Sequence, residues 1–159
     1  MNEKDESTPR SNGLQNPPQG MPRVVPHIFY DDVAAAIDWL VEAFGFKTRI
    51  RMEDDQGLVV HGELEVAESL VMLGLAQEHD HWVSPREHSG TVSQRLFIYV
   101  DDVDAHFEKA KAAGARIHSE PKDQWHGERV YEAIDPEGHR WKFAQPIFEV
   151  DQYSLQRPT

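Results

Sequence analysis

Residues able to hold a metal or a charged ligand fall into a few groups along this 159-residue chain. His79-Asp80-His81 has chelating spacing with His88 close behind, but the stretch is polar and aperiodic, where such clusters are ordinarily solvated loop. His61 and Glu63 are two apart, so on a strand they share one face and form a candidate metal pair. A cross-strand ion pair of Glu63 or Glu65 with a basic partner is the plainer role. Arg95 and Lys142 offer a guanidinium and an ammonium, which suit a carboxylate or phosphate ligand. Their alternative is pairing with Glu63, Glu65 or Glu132. Trp125-His126-Gly127-Glu128-Arg129 gathers an aromatic, a histidine and an arginine, fit for a lid or for stacking on a planar ligand. Phe97, Tyr99 and Tyr131 add rings and hydroxyls, with strand packing as the alternative for both tyrosines.

These residues need elements to position them. Val24-Val25-Pro26-His27-Ile28-Phe29-Tyr30 is β-branched and aromatic and predicts a strand. Asp31-Asp32 supplies an N-cap, Val33, Ile37, Leu40, Val41 and Phe44 recur at helical spacing, and Gly45 ends the helix. Strands are predicted over Phe46 to Met52, Leu58 to Val66 and Leu70 to Leu75. Residues 77–92 are polar and histidine-rich and read as a linker. The pattern then restarts with a strand from Arg95 to Val100 and a helix from Val103 to Gly114. Arg116 to Glu120 follows as a strand, Pro121 to Gly127 as a loop, and Glu128 to Ile134 and His139 to Gln145 as the closing strands. Asp135-Pro136-Glu137-Gly138 is the turn between them.

The restart is a repeat. Tyr30-Asp31-Asp32-Val33 recurs as Tyr99-Val100-Asp101-Asp102-Val103, each followed by a helix of similar length ending in glycine. The fold expected is α+β: two tandem βαβββ modules, residues 24–76 and 93–146, forming a curved mixed sheet with a concave cup. Period-two alternation sends Trp141 and Phe143 to a helix, and Arg140, Lys142 and Ala144 to the cup. It likewise turns Arg95, Phe97 and Tyr99 toward the cup, where a small ligand would bind.

Composition bounds the rest. Twenty-eight acidic residues against 16 basic ones give a net charge of −12, which disfavours a nucleic-acid surface. There is no cysteine, hence no disulfide or thiolate site. Residues 1–23 hold four prolines and little that is apolar, so a disordered arm is expected, and residues 147–159 form an irregular tail. With no apolar run long enough to span a bilayer and no signal-like segment, a cytoplasmic location is the expectation.

Three stretches together resemble the vicinal-oxygen-chelate superfamily, which includes glyoxalase, bleomycin-resistance and dihydroxybiphenyl-dioxygenase proteins. They are Asp32 to Leu40 with Phe44-Gly45-Phe46, the Tyr99 to Val103 joint, and Gly127 to Tyr131 followed by Asp135 to Trp141. The resemblance implies a cup that in many members holds a divalent metal on two histidines and two carboxylates. Carried over, those positions fall at or near His27 (Val25 without a gap), near Met72, on Arg95 and on Lys142. Methionine and two cations are poor company for such an ion. No metal is therefore favoured, and His27, His61 and Glu63 are the residues nearest to a site for Zn, Ni, Fe or Mn. The expected function is metal-free binding of a metabolite or drug, by Arg95, Phe97, Tyr99, Trp125, His126, Arg129, Tyr131 and Lys142. The alternatives are a metal-dependent lyase, isomerase or dioxygenase, an enzyme using Arg95, His126 or Tyr131 without metal, and a regulatory domain whose arm meets a partner. The resemblance also implies a homodimer.

Overall fold

The structure, a computed structural model, describes residues 14–150. The expected arm and tail therefore lie mostly outside the described residues. Within the arm, Met21 closes a turn on Pro18 and places its sulfur against Arg49. No helix among the described residues is long and apolar enough to cross a membrane.

The first module runs β1 (His27–Tyr30), α1 (Val33–Phe44), β2 (Lys47–Glu53), β3 (Val59–Val66) and β4 (Ser69–Leu75). The second runs β5 (Leu96–Tyr99), α2 (Val103–Ala112), β6 (Arg116–Asp123), β7 (Glu128–Ile134) and β8 (Arg140–Pro146). Each module is a four-stranded mixed sheet, ordered β1-β4-β3-β2 and β5-β8-β7-β6. The first strand runs parallel to the last, and every other pairing is antiparallel.

The helix starts follow from the repeat. Asp32 and Asp102 are extended, and each accepts the backbone N–H three residues on, at 2.9 Å. Such caps are each worth about 1 kcal/mol. Gly45 stops α1 in the left-handed region at φ 73°, which a side chain would resist. Ile37 and Leu40 of α1 and Phe107 of α2 bury against Tyr30, Leu64, Leu73, Trp141 and Phe143 in a core shared by both modules. The helices also pack on each other.

Two stretches depart from expectation. Residues 121–123, expected in a loop, continue β6, with Lys122 opposite Val130 across a bulge. β6 is an edge strand, so the missing N–H of Pro121 costs no ladder bond. The linker folds into two 3₁₀ turns, Glu78–Asp80 and Pro85–His88, with Gln77 and Trp82 bridged back to back.

The modules are clasped by the β7–β8 turn. The Glu137 carboxylate accepts the backbone N–H groups of Asp31 at 2.7 Å and Asp32 at 2.9 Å, and the hydroxyl of buried Ser84 at 2.5 Å. Beside it, Asp135 accepts the Tyr30 hydroxyl at 2.7 Å and the Trp141 indole N–H at 3.0 Å. One hairpin turn thus caps the strand-to-helix joint of the other module.

Candidate functional site

Each sheet has a face turned away from the helices, and register decides what stands on it. In the first module His27 pairs with Met72, and Met72 with Glu63. In the second, Phe97 pairs with Lys142, and Lys142 with Glu132. The two sets correspond, so the counterpart of His27 is Phe97, while Arg95 corresponds to Val25.

Glu63 and Glu132 are buried carboxylates at equivalent points, and arginines hold both. Arg49 reaches Glu63 at 3.0 Å. Arg95 and Arg140 reach opposite oxygens of Glu132 at 2.8 and 2.9 Å. Burial would raise the Glu132 carboxyl, but the Arg140 hydrogen bond and the Arg95 charge win and hold it below its ordinary value. Arg95 is therefore paired with Glu132, with about half of its side chain left exposed.

Along the second face runs a continuous chain of contacts. The Lys142 ammonium lies 5.5 Å from the Phe97 ring centroid. Phe97 meets Tyr99 edge-on at 5.4 Å. The Tyr99 hydroxyl donates to Glu128 at 2.5 Å, and His126 sits 3.1 Å from the other Glu128 oxygen. Trp125 meets His126 edge-on at 5.4 Å. The Glu128 hydrogen bond, with partial burial, raises the Tyr99 hydroxyl above its ordinary value and keeps it a proton donor. The three large rings stay open: Phe97 is 43% exposed, Tyr99 54% and Trp125 43%. Tyr99, His126 and Glu128 also border an open cavity of about 720 Å³, together with Ile147 and Phe148.

Two expected ligand residues stand elsewhere. Tyr131 pairs with Phe143, stacks on it at 5.1 Å and is fully buried on the helix side. Its hydroxyl meets His106 at 2.6 Å, and burial raises its pKa. Arg129 shares that parity and is spent on Asp104 and Asp123, each at 2.8 Å. Antiparallel partners share a face, so once Trp141 and Phe143 face the helix, Tyr131 must too. Residues 128, 130 and 132 take the other face.

The positions for a family metal do not fit one. Met72 is a soft thioether, Arg95 is ion-paired, and Lys142 is a cation over an aromatic ring. His27, His61 and Glu63 do come together: the imidazole centroids are 5.7 Å apart and His61 Nε2 is 3.7 Å from Glu63. Burial, and then His61, lower the His27 pKa. Yet Arg49 already neutralises the carboxylate, and among the described residues no group of three or more His, Cys, Asp or Glu stands close enough to hold an ion.

Two further residues join these surfaces without having been expected there. One is Glu128, and the other is Trp82, which stacks on Phe29 at 5.0 Å and 17°. A tryptophan isolated in a polar linker is the one local signal for Trp82.

Known proteins place this architecture. The chain is 33% identical over 138 residues to an uncharacterized protein of Mycobacterium bovis, covering 85% of this chain and 90% of that one. It is similar to TioX from Micromonospora sp. ML1, with 32% identity, TM-score 0.63, and 77% of this chain and 97% of the other covered. The fold alone is shared with the fosfomycin resistance protein FosX from Listeria monocytogenes, a mutant of which was solved with Mn(II) and 1S,2S-dihydroxypropylphosphonic acid. That match has 13% identity, TM-score 0.56, and 75% and 85% coverage. The profile of the Glyoxalase/Bleomycin resistance protein/Dioxygenase superfamily matches residues 20–143. This chain belongs to that superfamily.

Proposed function

We propose that the chain is a binding member of the superfamily that holds a planar, largely apolar metabolite or drug on the open face of the second sheet, without a metal. The observation that carries this reading is the strip Lys142–Phe97–Tyr99–Glu128–His126–Trp125. Large rings are ordinarily buried, and a contiguous open set rimmed by polar groups marks a binding surface. Phe97 and Tyr99 supply the stacking platform, and Trp125 closes one end. Glu128 already accepts from Tyr99 but keeps lone pairs for a ligand N–H or O–H, which would fix orientation. Lys142 bounds the other end.

Catalysis is the poorer reading of the same geometry. His126 and Tyr99 are both engaged with Glu128, and Tyr131 lies in the core. A homodimer in which a second copy covers the strip is compatible with this account.

Thermal-shift screening of planar aromatic compounds against tag-free protein tests it, with metal content measured on the same sample. A compound that stabilises the wild type, and not Phe97→Ala, supports the binder. Stoichiometric Zn, Ni, Fe or Mn, with binding lost in His27→Ala, would instead establish the metal-dependent alternative.

A further inference from the structure

A second cavity, of about 290 Å³, lies between β1, the linker and the start of β8. Four of the chain's nine histidines border it: His27, His81, His88 and His139. Its aromatic wall is Trp82, stacked on Phe29 yet 47% exposed. Thr91, Ser93 and Gln94 add hydroxyl and amide groups. No Asp or Glu borders it among the described residues, although 28 acidic residues give this chain a net charge of −12.

The walls are fixed before any ligand arrives. Trp82 is bridged to Gln77 by backbone hydrogen bonds of 2.7 and 3.2 Å. Ser84, two residues on, is tied to Glu137, and His139 Nε2 donates to the Phe29 carbonyl at 2.8 Å. His81 is held at φ 61°, a left-handed conformation that non-glycine residues seldom adopt and that gathers at functional sites. Preorganised walls of this kind reduce the ordering cost of binding.

We infer that this cavity is a second ligand site, taking a planar aromatic carboxylate whose ring lies on Trp82 and whose anion is met by the surrounding N–H and O–H groups. An aromatic face answers the ring. Imidazole, hydroxyl and amide donors, with carboxylates kept away, answer the anion. The site is separate from the strip on the second sheet and stands without that reading.

Calorimetric titration of the full chain with 2-naphthoate, and with neutral 2-naphthamide as control, tests the inference. Saturable binding of 2-naphthoate below about 5 mM is expected, with the amide at least about tenfold weaker. Trp82→Ala should weaken 2-naphthoate about tenfold. Trp82 is exposed, so the fold should tolerate the change, and His88→Ala provides a second variant expected to lose affinity. Phe97→Ala, which removes the platform of the strip on the other sheet, should leave the binding component that Trp82→Ala weakens unchanged within about twofold. No saturable binding, equal binding of acid and amide, or a loss in Phe97→Ala but in neither Trp82→Ala nor His88→Ala would overturn the inference.

Discussion

The Tyr99 hydroxyl donates a 2.5 Å hydrogen bond to Glu128, joining an open aromatic platform on β5 to the mouth of the β6–β7 hairpin. Strand β5 sets the ring and β7 sets the acceptor, so the platform and its polar edge move as one unit.

Tyr99→Phe keeps the ring and removes the bond. It should leave stability within about 0.5 kcal/mol, since the side chain is exposed. Affinity for a ligand that hydrogen-bonds Glu128 should fall about threefold to tenfold, as the carboxylate loses the donor that orients it. Binding titrations beside urea unfolding of both proteins check this.

Glu132→Gln should release two guanidiniums onto the second face. Breaking the pair of Arg95 and Arg140 with a buried carboxylate costs about 1–3 kcal/mol, discounted because both arginines are partly exposed. The variant should bind small anions such as sulfate more tightly than the wild type does. Urea midpoints measured with and without sulfate would show the loss and its partial recovery.

Glu137→Ala should be the more damaging change. It strands the Asp31 and Asp32 N–H groups and the Ser84 hydroxyl at the joint between modules. The expected loss is about 2–4 kcal/mol. Chemical denaturation should show a lowered midpoint, with residues near Ser84 exchanging amide protons faster.

Stability should also fall on mild acidification. His106 Nε2 faces the Phe44 carbonyl at 3.1 Å and so donates, which leaves Nδ1 to accept from Tyr131. Burial lowers its pKa below the ordinary 6.5. A lowered histidine means that the unfolded chain binds the proton first. Stability is therefore flat above about 6.5 and declines as pH falls from there toward the folded pKa. Glu132, held below its ordinary 4.5, adds loss in the same direction at lower pH. Denaturation midpoints across pH 7.5 to 5 should slope down in the wild type and less steeply in His106→Gln, where His27, also lowered by burial, keeps its share of the slope.

Much of this architecture was legible from local chemistry. The two Asp-Asp-Val joints announced both helices, and alternation around Trp141 and Phe143 put Phe97, Tyr99 and Lys142 on the opposite face. What was hidden depends on register between distant strands. Tyr131 and Arg129 looked available until β7 was set against β8, because a shift of one residue exchanges the two faces. Pairing of Arg95 with Glu132 was one of the alternatives open in the sequence, and the same alignment selects it. The clasp from Glu137 to Asp31, 106 positions away, leaves no local trace beyond an ordinary Asp-Pro-Glu-Gly turn.

The proposed metal-free binding of a planar ligand on the open strip of the second sheet can be tested residue by residue. The measurement follows backbone amide resonances of chelator-treated protein during titration with a neutral planar compound taken from the screen. Saturable shifts centred on residues 97–99, 125–128 and 142 are expected with no metal added. Shifts centred on His27, His61, Glu63 and Met72, arising only after a divalent ion is supplied, would refute the metal-free strip.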